Sequence, residues 1–461
     1  MKKIISFLLL LTFCFTICSC AQEEAELLPE YSDFGSTEVD LEGYECVIVQ
    51  SFDEAHPFQY PEGTLLADLY LKRLKEISED WNCEISIDCV TVGGYLDSTI
   101  QFIAAGTHIG EIACTTTPYN LVKAGVLYPL DILKDHLDYT NSEKFGSLGL
   151  LEHGMKDGIV YTVSPVAWPG KQASYSYNIF AVNEGLIKRY GKVDPRDYVE
   201  NGEWTWENFE KILPDYQIDD GAVNATAMNA TWTFTLDMAM MNGADYVKKN
   251  SDGTFSPAFD SVNIAEAFDW CAKLFTEKAD YITFDDHYKM VERFINDEIV
   301  LANTSLTHMI NEIIYDSEDY GIVPFPCGPR GTYGVWRSAV NSFDCMGIYI
   351  NAQYPEAAAK IIDRMFEPFE GYETKEDIEQ YASTIFYDKR DVEYFTTYLE
   401  NVRWDYWIVG IYDYFSNAKD SVKRGVGSAE IISRYSEAVN NLIEEYVIPN
   451  AEFVQQNESA K

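Results

Sequence analysis

The residues able to do chemistry in this chain are mostly planar aromatics and carboxylates. Nine residues are tryptophan, 32 tyrosine, 25 phenylalanine and 75 aspartate or glutamate, against six histidines. An aromatic face covers an apolar C–H surface, while carboxylates, amides and guanidinium groups hydrogen-bond hydroxyls. That pairing suits recognition of a polyhydroxylated small molecule. Bond-breaking chemistry is poorly served. There is no G-x-S-x-G, H-E-x-x-H, G-x-x-x-x-G-K-[ST] or G-x-G-x-x-G. Asp316 to Gly321 lacks the ligand spacing of a calcium loop. The histidines show no paired spacing and there is no C-x-x-C, so neither metal nor cofactor is expected. Two carboxylates across a cleft would serve a glycosidase, but among 75 acids some pair always qualifies. Binding without catalysis is the expectation, with a surface glycan-processing enzyme as the alternative.

The elements that must position such groups begin at YECVIVQ, 44–50, a β-forming apolar run. A helix is predicted over 63–80, where Leu66, Leu69, Tyr70, Leu74 and Ile77 share a stripe, and a strand over 83–92, where polar and apolar residues alternate. A helix over 95–105 and a strand over 109–115 follow. This alternation implies a parallel sheet covered by helices, with the loops after the strands on one edge, where ligands bind. Asp53 and Glu54 fall in the first such loop, and Thr116 lies in the hydroxyl run after the third strand. Farther on, helices are expected over 265–277, 290–295, 357–366 and 429–446, with a hairpin tip at Asn250-Ser251-Asp252-Gly253.

The chain ends and composition bound the setting. Lys2 and Lys3 precede an apolar stretch that closes on Ile17-Cys18-Ser19-Cys20, too short for a span and shaped like a secretory signal. Its ending resembles the bacterial lipobox, which implies that Cys20 is the lipidated first residue of the mature chain. Residues 21–42 are acidic, broken by Pro29 and Gly35, and read as a flexible tether. More than four hundred residues remain, too many for one core, so two lobes are expected. A formal charge of −41 argues against nucleic acid and against a body lying flat on anionic lipid. Seven cysteines remain in the body, an odd number set mostly in apolar runs, and read as small buried hydrophobes.

Several segments, in order, resemble family 1 extracellular solute-binding proteins, the class that includes maltose-binding protein. Ala104-Ala105-Gly106 with Ile112 resembles the end of that family's second helix and its third strand. Gly125-Val126-Leu127-Tyr128-Pro129-Leu130-Asp131 resembles its G-x-L-x-P-L-D turn, and Asp157 to Val163 its D-G-K-x-Y-x-x-P segment. Val182-Asn183 with Leu186 fits the stretch after the first crossover. Thr205-Trp206 to Phe209 matches T-W-x-x-F, with Thr205 as helix N-cap. Phe294 with Ile299 to Ala302, Asp319 to Pro329, and Tyr354-Pro355-Glu356-Ala357-Ala358 complete the series.

The resemblance implies an α/β, two-lobe periplasmic-binding-protein type II fold. Each lobe is a mostly parallel sheet flanked by helices, with a ligand cleft between them. It implies crossings near 161–168, 301–304 and 341–345. The expected division is signal 1–19, tether 20–42, lobe 1 at 43–165 plus 300–341, and lobe 2 at 166–299 plus 342–461. Implied ligand contacts are Asp53, Glu54 and Thr116 from the first lobe. Trp168 lies beyond the first crossing, Trp232 at the family's aromatic contact position, Thr304 after the second crossing, and Trp336 and Arg337 before the third. Trp404 and Trp407 read as core. The implied role is capture of a mono- or oligosaccharide for ABC permease subunits by a monomer on the outer face of a bacterial cytoplasmic membrane, held only by its lipid anchor. A sugar sensor that does not transport would use the same cleft.

Overall fold

The computed structural model describes residues 40–50, 65–90, 94–116, 118–164, 178–218, 222–229, 234–306, 309–313, 317, 319–340, 345–399, 401–404 and 410–458. Cys20 and residues 21–39 therefore lie outside the described residues; of the expected tether 20–42 only 40–42 are described, and there Leu41 is buried in the first lobe's core, its N–H on the Trp81 carbonyl at 2.8 Å. The strands in chain order are β1 Tyr44–Gln50, β2 Cys83–Cys89, β3 Ile112–Thr115, β4 Met155–Lys156, β5 Ile159–Val160, β6 Thr162–Val163, β7 Asn178–Asn183 and β8 Asn224–Asn229. They continue as β9 Val247–Lys249, β10 Phe255–Pro257, β11 Ile282–Asp285, β12 Ile299–Ser305, β13 Tyr320–Val323, β14 Ser338–Val340, β15 Cys345–Ile348 and β16 Val402–Trp404.

Two five-stranded sheets carry the molecule, ordered β2-β1-β3-β15-β6 and β11-β8-β12-β7-β13. In the first, β1 pairs in parallel with β2 and β3. Its strands alternate as the sequence predicts. Cys46 and Ile48 enter one core with Tyr70, Leu74 and Ile77 of the helix Leu65–Asp80. Val47 and Val49 enter another with Leu96, Ile100 and Ile103 of Tyr95–Ala104. The two crossover helices thus cover opposite faces, which follows when successive right-handed crossovers step in opposite directions from the central strand. In the second sheet β7 and β12 are buried along their whole length, as strands covered on both faces must be. Thr205 caps the helix Trp206–Tyr216 as expected, accepting from the Asn208 amide. Trp206 stacks on Trp270 at 4.6 Å between ring centroids, and Trp204 donates its ring N–H to the Pro324 carbonyl at 2.6 Å.

Each sheet contains one strand that runs against the other four: β15 in the first, antiparallel to β3 and β6, and β7 in the second, antiparallel to β12 and β13. Each is the strand that the chain enters on arriving from the other sheet or from its margin, through 165–177 into β7 and through 341–344 into β15. A strand that begins at the carboxyl edge has to run backwards. That reversal keeps both connections at one edge of each sheet.

Sheet membership differs from the expected division. β12 and β13 belong to the second sheet, so 300–341 is lobe 2 and no crossing occurs at 301–304. β15 belongs to the first sheet, and the helix Pro355–Met365 with Phe366 and Phe369 fills that lobe's core. The next helix, Lys375–Ile385, packs through Ile378 and Ala382 into the second core. The third passage is thus near 372–378. The reason is that β12 and β15 are both short apolar runs, and only strand pairing decides which sheet each joins.

The C-terminal helices return across the lobes. Ser428–Leu442 widens to a π-helical turn, Ile443–Val447, before Ile448–Glu458. Pro449, which lacks an N–H and crowds the carbonyl four residues earlier, accounts for the wide turn. Beyond it, buried Asn450 accepts from the Gly158 amide at 3.2 Å and donates to the Met155 carbonyl at 3.4 Å, docking the β4–β5 hairpin of the first lobe. Cys46, Cys114, Cys271, Cys327 and Cys345 are buried, as read from sequence, while Cys83 and Cys89 are half-buried on the edge strand. Among the described residues no helix is long and apolar enough to cross a membrane.

Candidate functional site

The carboxyl edges of the two sheets are brought together by their connections. At the first edge stand Gln50, Thr115 and Thr116, with Cys345 opposite Thr115. At the second stand Asp285 and Ser305, with Asn178 opposite Ser305. Val340 and Cys345 are separated by residues 341–344 alone, which holds them within roughly 18 Å even with the chain fully extended. Open α/β sheets bind ligands outside such edges, and here the chain passes from one such edge to the other.

The polar groups there are held from behind. Thr115 is fully buried, and the Thr116 carbonyl meets His153 Nε2 at 3.4 Å. His153 lies in the turn Leu148–Gly154 and is 2% exposed. Burial pushes its pKa down to about 4, against a smaller upward pull from the Thr116 carbonyl, so the ring is neutral near pH 7. The Gly154 carbonyl accepts from the Tyr161 amide at 3.0 Å, and a side chain at Gly154 would collide with Thr162 Oγ1. One short turn therefore fixes both the loop after β3 and the strand before the first crossing. Ser164, the last described residue before that crossing, has its Oγ 3.4 Å from Cys345 Sγ, where the second crossing ends.

The predicted contacts divide into three groups. Asp53, Glu54, Trp168 and Trp232 lie outside the described residues. Thr116 follows β3 at the first carboxyl edge, and Thr304 lies inside β12 one residue from its end at the second, with no crossing before it. Thr304 is 2% exposed, and its Oγ1 is buried with no hydrogen-bond partner, a state that native cores seldom leave unexplained. Arg337 leads into β14, its backbone N–H directed at Met241 Sδ at 3.3 Å. Trp336 departs from expectation. It is 5% exposed and packed in the second core, in T-shaped contact with Tyr333 at 5.3 Å. Flanking glycines suggested an open loop, but the segment folds inward.

Sequence reasoning missed two features. β16 pairs in parallel with β14, bringing the Trp404 backbone level with Val340 at the mouth of the second crossing. Strand pairing across sixty residues leaves no periodic signal in a three-residue strand. Asp237 was also missed; its signal was a lone charge in the otherwise apolar FTLDMAMM, every residue of which is buried. Among the described residues no group of three or more His, Cys, Asp or Glu is placed to hold a metal ion.

No protein-family model matches the chain, and no curated protein matches it. Solved structures do. A sugar transporter protein from Rhizobium etli in an open conformation aligns with TM-score 0.63 at 15% identity, over 86% of this chain and 99% of that one. The GacH receptor of Streptomyces glaucescens, solved unliganded and with acarbose, aligns with TM-score 0.61 at 12% identity, over 88% and 99%. UgpB from Mycobacterium tuberculosis, in complex with glycerophosphocholine, aligns with TM-score 0.59 at 16% identity, over 87% and 98%. The chain has the two-lobe fold of these binding proteins along nearly their whole length.

Proposed function

We propose that this chain is an extracellular solute-binding protein that captures a carbohydrate between its lobes and delivers it unaltered to an ABC importer. The observation that supports the reading is that each sheet's one reversed strand begins at its carboxyl edge, where a connection from the other sheet or its margin arrives. Two rigid sheets joined at one margin can rotate toward each other, and a ligand that touches both favours the closed form. Acarbose in the GacH receptor is a ligand of the kind this cleft would take. Glycerophosphocholine in UgpB supports a second reading, a polar zwitterionic glycerol derivative; the net charge of −41 disfavours only a ligand that is anionic overall.

In this reading Thr116 and Thr304 meet the ligand from opposite lobes, with Asp53 or Glu54 on its hydroxyls and Trp232 stacked on its apolar face. Trp168 and Arg337 complete the proposed set. Lipid on Cys20 holds the monomer to the outer face of the cytoplasmic membrane, beside the permease subunits. Cys20→Ala should release the protein into the medium; retention of that variant on the membrane sinks the anchor.

The direct test is calorimetric titration and thermal melting with maltose, maltotriose, cellobiose, raffinose and glycerophosphocholine. A true ligand at one hundred times its Kd stabilises by about 2.7 kcal/mol, and mass spectrometry should recover it intact. Cleavage of a saccharide would favour the enzyme reading instead.

A further inference from the structure

Asp237 is fully buried on the helix Phe234–Met241, a location where a carboxylate is costly unless well satisfied. Its Oδ2 accepts from Asn178 Nδ2 at 3.1 Å. Its Oδ1 accepts from Ser338 Oγ at 3.1 Å and from the Ala339 backbone N–H at 2.9 Å. Ser338 Oγ in turn accepts from the Asn178 backbone N–H at 2.8 Å. These partners are not scattered through the core. Asn178 is the first described residue after the first connection, and Ser338 and Ala339 belong to the strand that ends just before the second.

We infer that Asp237 is a positioning residue that fastens to one helix the second-lobe strand ends of two of the three inter-lobe connections, so that the lobes turn about one shared point there. The inference rests on the hinge-closing reading above. A single apolar side chain could fill the same volume, but it could not hold two strand ends to one point by directional bonds. The first lobe has a matching tie, because Ser164 and Cys345, the first-lobe ends of the same two connections, meet at 3.4 Å. With both pairs of ends joined, the lobes share one pivot at these two connections. Less orientational entropy is then lost when a ligand closes the cleft.

The test compares Asp237→Asn and Ser338→Ala with Arg196→Met, a destabilising change in a buried cluster that touches neither connection. The control is needed because all three variants lower the melting temperature. Hydrogen–deuterium exchange needs no ligand and reports the two amides inside the network. Asp237→Asn should speed exchange in 178–183 and 338–340 together by roughly tenfold or more, and small-angle scattering should show a broader range of unliganded shapes. Ser338→Ala should act in the same direction at the same two segments. Arg196→Met, the more destabilising change, should raise exchange across the lobe without singling out these two segments, and should leave the scattering at wild-type values. With maltotriose as probe, affinity should fall roughly five- to tenfold in Asp237→Asn and stay unchanged in Arg196→Met. Exchange that rises at one segment alone, or scattering and affinity that do not distinguish Asp237→Asn from Arg196→Met, overturns the inference. A wild-type chain that binds none of the tested ligands defeats the functional reading instead, and exchange and scattering still decide the hinge.

Discussion

Two buried polar clusters lie in the second lobe, and they differ in what they join. Around Arg196, 2% exposed, stand Asp194 at 2.7 Å, Glu184 at 2.8 Å and Asp391 at 3.0 Å. Gly321 passes so close that an added side chain would strike Arg196 and Asp391. This cluster binds the helix Lys389–Leu399 to the outer side of the sheet, beside its edge strand β13. Around Asp237 the partners are an amide, a hydroxyl and a backbone N–H, and the elements joined are the ends of two connections between lobes. Burial of charge alone therefore says little about function. The elements that a buried group ties together say more.

The comparison predicts opposite profiles. Arg196→Met strands the buried Asp391 carboxylate without its cation and should cost about 3–5 kcal/mol of stability, read by denaturant melts, with ligand affinity intact. A loss of affinity there would erase the contrast. The next effect is on pH dependence. His153 has a folded-state pKa near 4, below its ordinary value. The unfolded chain therefore binds the extra proton first, and stability falls as the pH drops from about 6.5 toward 4, by about 3 kcal/mol for this one group. His153→Gln should flatten that limb of the profile, and an unchanged limb would assign it to other groups. Asp237→Asn should cost about 1–3 kcal/mol, from donors left unsatisfied, less than Arg196→Met but with weakened binding. The smallest effect is expected for Thr304→Val, which removes a hydroxyl that has no partner. Stability should hold or rise by under about 1 kcal/mol, while affinity drops if the ligand uses that hydroxyl. A clear loss of stability would show Thr304 to be structural.

Much of the first lobe was legible in the sequence because its signals are local. Alternation in CEISIDC and the stripe of Leu69, Tyr70, Leu74 and Ile77 report elements that bury one face against a neighbour in the same βαβ unit. The second half was legible in its elements and not in their assignment. β12 was read as a passage between lobes because an apolar run is the same whether it crosses a cleft or sits between β8 and β7. At the site, Thr116 follows from the strand-end rule, whereas Thr304 was expected after a crossing that is instead the strand β12. Trp336 was misjudged because flanking glycines do not reveal on which side a loop packs. Asp237 carried a visible signal, one acid in an apolar helix, but its meaning depends on Asn178 and Ser338, 59 and 101 residues away in sequence.

The central claim is that a carbohydrate closes two lobes about one hinge. Small-angle X-ray scattering during titration with maltotriose and the other saccharides tests it most directly. The account predicts a fall in the radius of gyration that saturates at one ligand per chain. Saturable binding of a saccharide with an unchanged radius of gyration would contradict it.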